Sequence, residues 1–373
     1  SNQVFARRDI VAAEAFFDSG ADSTANRVST TNLQEAAVDE ADTIKTDGTH
    51  LFALRSCSNK TCLVSYELDA TEPLSSELSS LELAGTQAAE GLYLIQERAQ
   101  GGDLLISVGG RTSYSSWFDV WAWSNNLTEL EFLDASNPEQ LVSLETLSIE
   151  GQLVSSRRIG EVLYLVTRFA PNLPGYEPYA YTEESLQTNA QLLANTTLSD
   201  LLPKVTDSQQ QNELINSGNC YLPTRSLDQN QNPSIITVTA IPLDTPTEHQ
   251  SSCFLGDSEA LYMTADSLYL ATTQHSYGIL NRSALVYDPQ HTTAIHKFGL
   301  QGAGIAYRGS GQVDGHLGWS EDKKSFRMGE NGEYLNIVTS LGDTWGQSSS
   351  TRLTVLKESS AGGELQSVNV IDG

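Results

Sequence analysis

The strongest constraint on this chain is a short β-rich phrase that keeps returning, with an aromatic residue or Leu amid apolar neighbours, usually just after a Gly, Asp or Glu turn signal. Copies stand at Leu51-Phe52-Ala53-Leu54, Leu92-Tyr93-Leu94-Ile95, Leu163-Tyr164-Leu165-Val166, Leu268-Tyr269-Leu270-Ala271 and Tyr334-Leu335-Asn336-Ile337-Val338. Most are followed by a second strand-like run (Leu63 to Leu68, Leu130 to Leu133, Ile235 to Ile241, Leu285 to Tyr287, Leu353 to Leu356). A third run then follows (Leu78 to Leu83, Leu141 to Ile149, Ile295 to Leu300, Leu365 to Ile371), but in the third copy no outermost strand stands out. A phrase trailed by two strands is what one blade of a propeller needs after its innermost strand. The expectation is an all-β chain, a β-propeller with about five blades recognisable and the phrases on their inner strands. Copies lie roughly 40 to 105 residues apart, so the longer intervals carry insertions.

The largest insertion spans about 170–234. It opens on the turn-rich Pro171-Asn172-Leu173-Pro174-Gly175 and then loses β character. Leu186, Leu192, Leu193, Leu198, Leu201 and Leu202 follow at rough helical spacing, with Pro203 to end the helix. A second helix is expected from Asp9 to Phe17, with Gly20 as its stop. The chain thus divides into an N-terminal helix and lead-in at 1–29 and a propeller domain at 30–373.

Forty-seven acidic against twenty-one basic side chains give a net charge of −26, a field that repels phosphate backbones and anionic headgroups and argues against nucleic acid as a partner. No apolar run is long enough to span a bilayer as a helix. The first residues, Ser1-Asn2-Gln3, lack the charged and apolar regions of an export signal. Cysteine usage nevertheless points outward. Cys57, Cys62, Cys220 and Cys253 are even in number and have no His at zinc spacing, which favours disulfides Cys57–Cys62 and Cys220–Cys253 in a secreted or periplasmic protein.

Local enzyme signatures are absent: no Gly-x-Ser-x-Gly elbow, no phosphate loop, no His-Glu-x-x-His, no EF-hand. No cofactor is implied, and the six histidines form no ligand pair on one strand face. Trp117, Trp121 and Trp123 share one face of an extended segment, which suits core packing or a stacking platform for a glycan or protein partner. The sharpest local feature is Val38 to Gly48. Asp47-Gly48 reads as a turn. Asp39, Glu40 and Asp42 could begin a calcium site but miss the spacing of a known loop, so a structural role is favoured over a metal site, with the carboxylates bonding backbone N–H groups, Lys45 or an Arg of a neighbouring blade.

Thr31-Asn32-Leu33-Gln34, Val38-Asp39-Glu40-Ala41-Asp42 and Ile44-Lys45-Thr46-Asp47-Gly48 together resemble the opening signature of a bacterial and archaeal family of secreted proteins with a β-propeller domain. Leu133-Asp134-Ala135-Ser136-Asn137-Pro138 is similar to that family's blade-end phrase, and Ser155-Ser156-Arg157-Arg158-Ile159-Gly160 to the opening of its next blade. The resemblance runs from about Thr30 to the last residue and departs at Ala37, where many members are expected to carry Gly. It implies further blades past the equivalent of Asp372-Gly373, which leaves a ring of five and a larger ring both open. It supplies no catalytic residue. The expected function is an exported binding or scaffolding module for an extracellular protein or glycan; the alternative is an extracellular carbohydrate hydrolase or lyase using carboxylates in a central cleft.

Overall fold

The computed structural model describes residues 34–373, except 59, 70–74, 85–87, 97, 99–100, 112–125, 208–209, 223–233, 277–289, 321–322 and 343–348. The expected helix at Asp9 to Phe17, the run Leu285 to Tyr287 and the Trp117, Trp121, Trp123 row lie outside the described residues.

Five antiparallel meanders of four strands make up the fold. The first holds β1 (Ile44–Thr46), β2 (His50–Cys57), β3 (Lys60–Leu68) and β4 (Ser75–Glu82). The second holds β5 (Ala88–Ile95), β6 (Leu104–Arg111), β7 (Leu127–Asp134) and β8 (Val142–Glu150). The third begins with β9 (Gln152–Ile159) and β10 (Val162–Phe169). The insertion follows, with helices α1 (Glu183–Asn195) and α2 (Leu198–Leu201) and the short strands β11 (Lys204–Thr206), β12 (Gln211–Glu213) and β13 (Cys220–Tyr221). Strands β14 (Ile235–Pro242) and β15 (Gln250–Leu255) complete the third meander. The fourth is β16 (Ala260–Met263), β17 (Ser267–Ser276), β18 (Gln290–Gln301) and β19 (Gly304–Asp314). The fifth is β20 (Met328–Asn331), β21 (Tyr334–Leu341), β22 (Ser350–Glu358) and β23 (Gly363–Asp372). A two-residue parallel bridge between β19 and β23 joins the last two sheets into one eight-stranded order.

Apolar cores lie between successive sheets. Phe52, Leu63, Leu92 and Leu105 join the first to the second, and Ile106, Phe132, Leu163 and Leu165 the second to the third. Val166, Val238, Leu268 and Phe298 join the third to the fourth, and Tyr269, Ile295, Ile337 and Leu356 the fourth to the fifth. Among the described residues, no such cluster joins the fifth sheet to the first. The repeated phrase follows from this arrangement. In β10, Leu163 and Leu165 enter one core while Tyr164 and Val166 enter the next; in β17, Leu268 and Leu270 do the same against Tyr269 and Ala271. A strand buried on both faces is apolar at every position.

That physics corrects the placement of the phrase. The phrase is expected on the innermost strand of each blade, which must be an edge strand of its meander. Four of its five copies instead occupy the second strand (β2, β10, β17 and β21), and only Leu92–Ile95 lies in a first strand, β5. In the second sheet β5 and β6 are both buried on two faces, Leu92-Tyr93 and Leu104-Leu105-Ile106 alternating between the same two cores.

The insertion is also divided differently from the single helix expected. Thr182 caps α1 by accepting from the Ser185 N–H, and the helix ends at Thr196, leaving α2 as a separate turn. The chain then returns a strand to the second sheet, where Val205 of β11 lies opposite Ile149 of β8. Both disulfides form: Cys57–Cys62 spans the β2–β3 hairpin end, and Cys220–Cys253 holds β13 parallel to β15. Among the described residues, no helix is long and apolar enough to cross a membrane.

Candidate functional site

Residues 34–42 form a strap that crosses the first strands of successive sheets before becoming β1. Its first contacts are with the fifth and fourth sheets. The Gln34 side chain donates to the Ser325 carbonyl just before β20 (2.9 Å), and Glu35 accepts from the Tyr262 hydroxyl on β16 (2.6 Å). Tyr262 in turn accepts from the Glu330 N–H of β20 (2.7 Å), which ties the fourth and fifth first strands together. Burial, assisted by Glu35 and Glu330, pushes the Tyr262 phenol above its ordinary range, so it stays a donor.

At β9 the strap pairs as a strand would. The Asp39 N–H donates to the Arg158 carbonyl (2.8 Å) and the Arg158 N–H to the Asp39 carbonyl (3.0 Å). Asp39 is 7% exposed, and its carboxylate accepts from Arg158 Nε and Nη2 (3.1 and 2.9 Å) and from Lys45 Nζ (3.2 Å). Glu40 pairs with Arg157 Nη2 (3.1 Å), while its carbonyl accepts from Lys45 (2.8 Å). Lys45 also sits over the Tyr93 ring, 5.8 Å from its centroid, and the Tyr93 hydroxyl bonds Ser156 (2.8 Å). Burial drives the Tyr93 phenol upward.

At β5 the strap pairs again, Asp42 exchanging backbone hydrogen bonds with Leu92 (3.2 and 2.7 Å). Gly91 makes that approach possible. A Cβ there would stand 2.6 Å from the Ala41 Cβ and 2.9 Å from the Asp42 nitrogen, so any side chain must lift the strap. The strap then enters the β1–β2 hairpin. Asp47 Oδ1 accepts from the backbone N–H groups of Thr49 and His50 (2.7 and 2.6 Å), Oδ2 meets the His50 ring (2.8 Å), and Gly48 takes φ +98°. Burial raises the Asp47 pKa, but the hydrogen bonds from His50 and Thr49 outweigh it and hold the carboxyl below its ordinary value.

The acidic triplet therefore does not converge. Asp39 and Glu40 pair with different cations, and Asp42 is exposed, its carboxylate accepting from the Thr43 hydroxyl at 3.5 Å. Among the described residues, no group of three His, Cys, Asp or Glu side chains is placed to hold a metal. A polar cleft of about 270 Å³ opens beside the strap, lined among others by Gln34, Glu40, Arg157, Glu259 and Phe326. Glu259 pairs with Lys324 (3.0 Å), and Glu330 accepts from Tyr269 (2.7 Å) and Ser267 (3.1 Å). Desolvation raises the Glu90 carboxyl on β5 from its ordinary value.

Sequence reading had marked Asp39, Glu40, Asp42, Asp47 and Gly48. It does not show that the partners of Asp39 and Glu40 are the Arg158 and Arg157 of the blade-opening phrase, nor does it mark Ser156, Tyr93 or the role of Gly91. The signal was present, because two of the three phrases that carried the resemblance turn out to be each other's partners across 119 residues. The third phrase joins neighbouring sheets. Asp134 is held low by hydrogen bonds from the Ser136 hydroxyl and N–H, and the Pro138 carbonyl accepts from Ser65 and Ser79 of the first sheet (2.5 and 2.9 Å).

A family model described as beta propeller domain matches residues 28–373. No curated protein matches the chain.

Proposed function

Since this chain belongs to the beta propeller domain family, we propose that it is an exported propeller module that binds or scaffolds an extracellular protein or glycan and performs no chemistry at its axis. The observation that carries this reading is the strap. It lies across the first strands, where a propeller hydrolase would place its catalytic carboxylates, and it engages Asp39 and Glu40 with Arg158, Lys45 and Arg157. A glycosidase needs two carboxyls facing each other at about 5–9.5 Å, one of them free to hold a proton and the other ionised. A carboxylate held in an ion pair is kept ionised and cannot supply the proton. Export is supported by the two disulfides, which persist in oxidising compartments, and by an acidity that keeps the surface solvated.

The alternative, an extracellular carbohydrate hydrolase or lyase, would draw its acid from Glu90, a solvent-exposed residue of β5 beside the strap's crossing at Gly91, whose carboxyl is raised. One experiment weighs the two. The purified protein is incubated with a panel of polysaccharides and glycoproteins, while retained ligand and newly released reducing ends are both measured. Saturable retention with no release is the expected result. Release of reducing ends that disappears in Glu90→Gln would replace the module with an enzyme.

A further inference from the structure

We propose that the apolar cavity beneath the insertion is a binding site for the alkyl chain of a neutral or cationic amphiphile. The cavity lies against β13, at the edge of the third sheet opposite β9, so it is separate from the strap and does not depend on the reading of the axis. Its volume is about 340 Å³, and its walls include Leu173, Tyr176, Leu193, Leu198, Leu201 and Leu222. This is the size of a small-molecule pocket.

The lining decides the chemistry of the occupant. Among the described residues that line it none is charged, and Ser217 and Tyr176 bring its hydroxyls. A sugar or a peptide backbone placed here would leave most of its polar groups without partners, and water would fare no better. An alkyl chain loses nothing on entering. Leu193, Leu198 and Leu222 are 46%, 56% and 68% exposed, so apolar surface remains in water at the rim that a bound chain would cover. The headgroup must stay outside, where it meets the field of a molecule with net charge −26. That field disfavours a carboxylate or phosphate head and favours an ammonium or an alcohol.

The test uses the full chain and a neutral fluorescent probe, N-phenyl-1-naphthylamine, displaced by 1-alkanols from hexanol to dodecanol below their aggregation limits. Burial of methylenes predicts one-to-one displacement that tightens about fourfold per added carbon, then levels off when the cavity is full. At matched chain length, decyltrimethylammonium should displace the probe more strongly than decanoate, with the gap narrowing at high salt. Leu198→Gln and Leu222→Gln replace exposed residues and should keep the wild-type melting temperature while weakening displacement at least tenfold. Leu144→Gln, an equally exposed leucine on β8, should change nothing. Absence of saturable probe binding, displacement indifferent to chain length, displacement by amphipathic peptides but not by alkanols, or equal losses in all three variants would each overturn the proposal.

Discussion

Asp39 carries more of the fold than its neighbours in the acidic triplet, and the difference can be measured. Truncating one member of a buried, hydrogen-bonded ion cluster leaves the others uncompensated, at a cost of about 3–5 kcal/mol. Asp39→Ala strands both Arg158 and Lys45, so denaturant unfolding should show a loss in that range. Asp42 presents its carboxylate to solvent and contributes through its backbone, so Asp42→Ala should stay within about 0.5 kcal/mol of wild type. Calcium-dependent melting that vanishes in both variants would restore the cation reading. Two positions earlier, Ala37 is held at φ +67°, a left-handed conformation that costs a residue with a Cβ about 1–2 kcal/mol. Ala37→Gly removes that strain at some cost in chain entropy and should stabilise the protein by about 1 kcal/mol, the direction opposite to an ordinary Ala→Gly change. His296 contributes a pH dependence where the third and fourth sheets meet. Its ring is stacked on Phe254 with centroids 4.1 Å apart and touches the Tyr307 hydroxyl at 3.1 Å, and burial lowers its pKa from 6.5 to about 4. The fold therefore holds the neutral ring, while the unfolded chain takes up a proton as pH falls below 6.5. Stability drops in that window, by about 2 kcal/mol between pH 7.5 and 5, and stops dropping once pH passes below 4. Denaturation curves at the two pH values should differ by that much less in His296→Gln.

Among the elements, those buried on both faces were the most legible. Leu163-Tyr164-Leu165-Val166 and Leu268-Tyr269-Leu270-Ala271 stand out because every side chain enters a core, and that same property made them look innermost when they are second in their meanders. The first strands β1 and β9 read poorly for the converse reason. β1 is three residues with Ile44 half exposed, and β9, Gln152–Ile159, is polar because its Ser156, Arg157 and Arg158 serve the strap. The short strands β11, β12 and β13 are two or three residues long, too short for a period of two to show. Cysteine arithmetic succeeded where pattern failed, because an even set in a chain of this kind constrains pairing without any periodicity. Its energetic weight can be checked. Cys220–Cys253 closes 33 residues that include β13 and β14, and on the chain-entropy model its removal costs about 3–4 kcal/mol; Cys57–Cys62 spans five and should cost about half as much. Paired Cys→Ser variants compared by denaturation under non-reducing conditions test the ranking, which would fail if the short bridge proved the costlier to lose.

Across the whole molecule, the sparse positive charge is not spread evenly. Lys45, Arg157 and Arg158 gather beneath one nine-residue segment, in a chain whose net charge otherwise drives self-repulsion. Apolar cores tie each sheet to the next but no described cluster ties the fifth to the first, so the strap is the element that touches the third, fourth and fifth sheets near their first strands and then continues into the first. Such a tie was not legible in the sequence, because its partners lie from 50 to nearly 300 residues away and no local pattern marks a contact of that range. Gly91 allows it to be tested without altering any charge. Gly91→Ala places a methyl group where Ala41 and the Asp42 nitrogen now lie, 2.6 and 2.9 Å away, so the strap must rise off β5. Overpacking of this kind costs about 1–3 kcal/mol. If the strap is held as one unit, lifting it at β5 also loosens Asp39 at β9, and the loss in the double variant Asp39→Ala/Gly91→Ala should fall at least 0.5 kcal/mol short of the sum of the single losses, the threshold at which coupling exceeds ordinary scatter. Limited proteolysis should then cut within residues 34–46 in either single variant well before global unfolding. Strict additivity, with wild-type protection of that segment in Gly91→Ala, would mean that the two bridges hold independently and that the sheets owe their arrangement to the intervening cores alone.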